Sequence, residues 1–166
     1  MNAGDVDLAR LAYAPLPVVV EHILARYHAV HRAQFPEIVR LARKVLHVHA
    51  GVPGCPVGLA DHVSAMAQAM ESHMRKEEGV LFPLIVRGRG ELARAPIAVM
   101  RMEHDEHEQE LRELARITND LVPPPEACAT WRALYAALGT FRDDLRQHIH
   151  IENDILFARA APDETN

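Results

Sequence analysis

The sequence predicts an all-α fold, an up-down antiparallel four-helix bundle, and three observations carry that expectation. Of the 166 residues, 49% are hydrophobic, only 5% are aromatic and eight are glycine, a balance rich in helix formers and poor in strand formers. Apolar residues recur at helical spacing, without convincing strand alternation. Three Gly- and Pro-rich stretches, AGVPGCPVG (50–58), RGRGELARAP (87–96) and NDLVPPPEA (119–127), divide the chain into four periodic segments. A chain of this length makes one domain with a real core.

Residues 1–15 show no strong pattern and are expected to form a flexible N-terminal arm. The bundle is expected over 16–160 and a short tail over 161–166. The first helix is predicted from Pro17 to His49, with Val20, Ile23, Leu24, Tyr27, Ile38, Leu41 and Val45 on its apolar face. Pro36 removes a backbone donor and crowds the preceding turn, so this helix should be kinked or broken nearby. The second runs from Leu59 to Leu81, with Val63, Met66, Met70 and Met74 inward and Pro83 limiting it. The third spans Pro96 to Asn119, with Pro96 suited to the first turn. The fourth, Glu126 to Ala158, carries Trp131, Leu134, Leu138, Phe141 and Leu145.

Chemistry enters through a repeat. ESHMRKEEGVLFP (71–83) is echoed by RQHIHIENDILFA (146–158), pairing His73 with His148, Glu77 with Glu152, Leu81 with Leu156 and Phe82 with Phe157. Residues i and i+4 share a helix face, and Val80 and Ile155 are expected to continue that face inward. An unpaired carboxylate on an apolar face costs several kcal/mol, so it neutralises itself or finds a cation. One His-x-x-x-Glu pair is more often a satisfied core hydrogen bond; two copies on the second and fourth helices favour a metal. His104 lies on the buried stripe of the third helix, His107 one step round it and so toward solvent. The first helix offers His28 and His31, and its end offers His47 or His49. The ferritin-like Glu-x-x-His signature is absent, and neither cysteine belongs to a Cys-x-x-Cys pair. Imidazole and carboxylate without thiolate suit iron or manganese rather than structural zinc. Two bridging carboxylates, an oxo or hydroxo bridge and five imidazoles would leave one octahedral position open, sized for a small diatomic molecule.

These stretches resemble the hemerythrin-like di-iron proteins. More closely, YHAVHRAQFPEI, HMRKEEGVLFPLIVRGRG, PIAVMRMEHDEH, PPPEACATWRALY and DDLRQHIHIENDILFARA resemble the RIC (repair of iron centres) family, implicated in iron–sulfur cluster repair under nitrosative and oxidative stress. The resemblance implies two iron ions, oxo- or hydroxo-bridged, held by His28, His49, His73, Glu77, His104, His148 and Glu152, with Glu77 and Glu152 bridging. His31, His47, His107 and His150 are then outer or surface residues. Longer members carry an additional N-terminal domain with a cysteine pair. Only about fifteen residues, without cysteine, precede the bundle here, so iron binding is implied more directly than iron donation.

Three functions follow as expectations. The first is a stress protein that binds nitric oxide, reduces it in a nitric oxide reductase-type reaction, or supplies iron to iron–sulfur proteins as repair clients. The second is a hemerythrin-like oxygen carrier or sensor, and the third a structural or storage metal-binding bundle. A formal charge of −5 argues against nucleic acid as a partner. No apolar run approaches the ~20 residues of a membrane span, and the acidic N-terminus lacks the pattern of a signal peptide. A cytoplasmic monomer or homodimer is expected.

Overall fold

A computed structural model describes residues 3–162, so residues 1–2 of the expected arm and 163–166 of the expected tail lie outside the described residues. All regular structure among the described residues is helical. A short helix, α1 (Ala3–Tyr13), occupies the stretch expected to be a flexible arm. Leu11 is buried, and the Arg159 guanidinium donates to the carbonyls of Leu11 and Ala14 at 3.0 and 2.7 Å. One buried leucine and two carbonyl anchors therefore tie α1 down.

Four long helices follow: α2 (16–48), α3 (59–86), α4 (Gly90–Ile117) and α5 (129–160). The first runs through Pro36 without a break, because its irregularity lies elsewhere, in a π-helical turn at Leu24–His28. Similar π turns occupy Glu77–Leu81 in α3 and Ile151–Phe157 in α5. The third helix of the bundle starts at Gly90, before the predicted Pro96, and the second continues past Pro83 to Val86. Gly90 is required by close approach: a Cβ there would collide with the Ala160 backbone carbonyl.

The core has two apolar compartments. One contains Phe35–Val45 positions of α2, Leu59–Met74 positions of α3, Leu111 and Leu114 of α4, and Trp131–Leu145 positions of α5. The other gathers Val19–Tyr27 positions, Leu81–Ile85, Ala93–Met100 and Ile151–Phe157 with Leu11. Along the chain the four helices pass between the compartments in alternating directions, which is the up-down antiparallel arrangement. On every helix the buried polar residues singled out above (His28 and His31, His73 and Glu77, His104 and His107, His148 and Glu152) fall at the junction of its two apolar blocks. They form a buried layer across the middle of the bundle.

Candidate metal centre

Six of the seven predicted ligands meet in that layer. His28, His73, Glu77, His104, His148 and Glu152 are each at most 1% exposed. They form two four-residue groups, His28–Glu77–His148–Glu152 and His73–Glu77–His104–Glu152, with candidate donor atoms in each within 4.8 Å of one another. Both carboxylates belong to both groups, the arrangement that bridging requires.

The imidazole Nε2 atoms point inward. His28 Nε2 is 3.2 Å from Glu77 Oε2, His73 Nε2 3.2 Å from Glu77 Oε1, His104 Nε2 3.0 Å from Glu152 Oε2 and His148 Nε2 2.8 Å from Glu152 Oε1. Most of these approaches are too poorly aligned to be hydrogen bonds. Both Glu77 oxygens, Glu152 Oε2 and His28 Nε2 are buried without a hydrogen-bond partner. Buried polar atoms left in this state are costly. Converging on a cation satisfies them together, so the donor set fits a pair of metal ions.

The Nδ1 atoms point outward, each to a partner: His28 to Glu78 Oε1 at 2.8 Å, His73 to Glu103 Oε2 at 2.8 Å, His104 to Asn153 Oδ1 at 2.9 Å and His148 to His31 Nε2 at 3.1 Å. A partner on the far nitrogen fixes the tautomer and aims the lone pair, as metal-ligating histidines require. Burial resists charge on Glu78 and Glu103. Even so, Arg32 and His28 hold Glu78 below the usual carboxylate range, and Lys76 and His73 do the same for Glu103. In the iron-free site burial opposes protonation of His28, but Glu152 and Glu77 overcome it and raise its pKa to about 10. His73 rises to about 9 for the same reasons, with Glu77 foremost. Burial also resists charge on Glu152, yet His148 and His104 hold it well below its ordinary value. His31 is driven the other way, to about 4, by burial and by His148.

Three aromatic rings roof the layer. Tyr27 stacks on His148 at 5.2 Å, Phe82 on His28 at 5.6 Å and Phe157 on His104 at 5.9 Å. The repeated Leu-Phe of the sequence thus places each phenyl ring over an imidazole from the preceding helix.

His49 is the correction. Its Nε2 lies 3.0 Å from Cys128 Sγ and its ring 5.0 Å from Trp131, at the far end of the bundle. His28 and His49 sit 21 residues apart on and just beyond one unbroken helix, about 30 Å at 1.5 Å per residue. A break at Pro36 could have brought them together; a continuous helix cannot. His107 is also corrected: it is buried rather than solvent-facing, with Nδ1 3.1 Å from Glu110 Oε2, its ring 5.0 Å from that of His73, and Nε2 unpartnered. Val80 is 54% exposed where Ile155 is buried, so only one of these two residues continues the face inward. His47 and His150 are exposed, as expected.

The outer residues Glu78, Glu103 and Asn153 were missed, although each adjoins a ligand in sequence. A longer repeat was missed as well. His28-x-x-His31 and His104-x-x-His107 match, and each second histidine turns Nδ1 to the residue three further on, Gln34 or Glu110. The α2–α3 half and the α4–α5 half are two versions of one design.

The hemerythrin HHE cation binding domain model matches residues 19–160. The chain is 49% identical over 147 residues to "Iron-sulfur cluster repair protein YtfE" of Dickeya chrysanthemi (strain Ech1591), an alignment covering 89% of this chain and 66% of that protein. Against the protein of that name from Cronobacter sakazakii (strain ATCC BAA-894) it is 50% identical over 151 residues, 91% of this chain and 68% of the relative. For Escherichia coli O157:H7 the figures are 46% over 169 residues, 96% and 77%. The chain therefore spans about two thirds to three quarters of the length of these curated relatives.

Proposed function

This chain belongs to the hemerythrin HHE cation binding family, and on that premise we propose that it is a non-haem di-iron protein of the nitrosative and oxidative stress response. In this reading it binds or reduces nitric oxide, supplies iron for the repair of iron–sulfur clusters, or does both. The observation that carries the reading is the pair of buried His–Glu groups sharing both carboxylates. Similarity to proteins named for iron–sulfur cluster repair supports the choice of pathway. Iron–sulfur proteins would be the clients and the cytoplasm the place of work. No described helix is long and apolar enough to cross a membrane.

His28 and His148 would hold one iron and His73 and His104 the other, with Glu77 and Glu152 across both. Bound there, the iron pair supplies one-electron chemistry and exchangeable coordination positions for a small ligand. Two imidazoles and two carboxylate oxygens for each iron would leave positions open to small exchangeable ligands. Without His49 the vacancy is larger than five histidines would leave. The protein's own part is to keep the imidazoles deprotonated at Nε2, fix their rings through Nδ1 and close the layer with Tyr27, Phe82 and Phe157.

Metal analysis of protein purified without air tests the centre, with two irons per chain expected; one zinc per chain overturns it. Stopped-flow mixing of the reduced protein with nitric oxide tests the chemistry. Nitrosyl bands or consumption are expected, and the absence of both removes nitric oxide from the function. Reversible oxygenated bands on exposure to air would establish the oxygen-carrier alternative instead.

A further inference from the structure

We propose that His31 is a positioning residue that locks His148 in its ligating tautomer, so that the metal position shared by His28 and His148 depends on a line of side chains that the other position lacks. The proposal rests on the di-iron reading above. His31 is fully buried, one turn beyond His28 on α2. Its Nε2 lies 3.1 Å from His148 Nδ1 and its Nδ1 3.1 Å from Gln34 Oε1. Gln34 Nε2 in turn donates to Asp144 Oδ2 at 2.8 Å, and Arg26 donates to Asp144 Oδ1 at 2.8 Å.

The polarity of this line is fixed from its outer end. An aspartate paired with arginine only accepts hydrogen bonds. Gln34 must therefore turn its amide nitrogen to Asp144 and its oxygen to His31. That oxygen requires the proton of neutral His31 to sit on Nδ1, leaving Nε2 as an acceptor. His148 must then carry its proton on Nδ1, which frees its Nε2 lone pair for the metal layer. With the line reversed, His148 would present N–H to the layer and could not ligate.

The other half of the molecule supplies the control. His107 stands to His104 as His31 stands to His28, and its Nδ1 faces Glu110 as that of His31 faces Gln34. Yet its Nε2 is buried with no partner, because His73 Nδ1 is taken by Glu103. One half backs its repeat histidine with a neutral imidazole, the other with a carboxylate paired to Lys76. A carboxylate partner makes an imidazole more basic than a neutral one does. The imidazole of His148 is therefore the weaker donor of the repeat pair, and the one that depends on its line.

Anaerobic titration with ferrous iron, read by stoichiometry and by the Mössbauer spectrum of protein loaded with iron-57, tests this. The wild type binds two ions. In His31→Leu one ion binds about 10- to 100-fold more weakly and the other is unchanged, so half of the spectrum is lost first. His31→Gln, which can present an acceptor oxygen to His148, restores much of the affinity. Gln34→Leu weakens the same ion by less, and His107→Leu leaves both ions in place. Should His31→Leu fail to fold, Gln34→Leu decides by the same readout. Unchanged affinities and spectrum in folded His31→Leu overturn the proposal, as does equal weakening of both ions. A wild type that binds no iron pair overturns the di-iron reading itself, and is recognisable before any variant is made.

Discussion

Compared with each other, the α2–α3 half and the α4–α5 half of the bundle agree inside and differ outside. Inside, His28 and His104 correspond, as do His73 and His148, Glu77 and Glu152, and Phe82 and Phe157, whose rings cover His28 and His104 respectively. Outside, the correspondence lapses. Glu78 answers to Asn153, exposed Val80 to buried Ile155, and the Glu103–Lys76 pair to the His31–Gln34 line. A pair of ions demands matched donors at fixed spacing, whereas each outer partner need only present an acceptor. The outer residues are therefore free to differ, and with them the properties of each metal position.

The largest break in the comparison comes where the halves are one object. Glu77→Ala or Glu152→Ala removes a carboxylate from both groups at once. Each should lower affinity for both irons by more than about 100-fold, beyond the effect of any outer-partner change, as iron per chain after desalting will show. If either variant loses only one ion, the shared-bridge arrangement is wrong.

Removing the metal exposes the second difference. In the iron-free protein His28 and His73 are protonated with raised pKa values of about 10 and 9. A raised pKa contributes stability that is complete below the unfolded value near 6.5 and is lost as pH climbs through the folded value. Glu152, whose pKa is lowered, contributes above its ordinary 4.5 and is lost below it. His31, held at about 4 by burial and by His148, adds the opposite slope and costs stability as pH falls from 6.5 toward 4. Iron-free protein should therefore be most stable near about pH 6.5 and lose several kcal/mol by pH 10. Iron-loaded protein, with its ligands already deprotonated, should lack that alkaline decline. Thermal melts of both forms across pH will check it; parallel curves would contradict the assignment.

Third, Ile155→Asp should destabilise by about 3 kcal/mol, since it buries a carboxylate in the compartment beside the layer. Val80→Asp, at the matching position, should stay within about 0.5 kcal/mol. Urea unfolding of the two variants measures the contrast. Among changes to the metal positions the smallest effect is expected from Glu103→Gln: roughly a 10-fold loss at the His73–His104 position alone, visible as a split in the ferrous titration.

Much of this was legible beforehand. The four helices followed from apolar periodicity and from the Gly-Pro stretches between them, because burying one face of a helix leaves little freedom in where apolar residues fall. His73, Glu77, His148 and Glu152 were legible because a repeated i, i+4 pair on an apolar face is costly without a cation. His49 was misread because the family resemblance carried it over by position, and nothing in the spacing showed that the helix runs unbroken through Pro36. The π turn that relieves the regular helix sits instead at Leu24–His28, against the metal layer. His107 was misread because i+3 shares a face with His104 nearly as well as i+4 does.

The sequence by itself determined the helices, their order and the two repeated His–Glu pairs, since these depend on periodicity within each helix. Only the tertiary structure decided which atom stands behind each imidazole, and that His49 belongs to the Cys128 end of the bundle. Those facts depend on contacts between helices whose residues lie tens to more than a hundred positions apart, such as His31 with His148. No spacing along one helix records them.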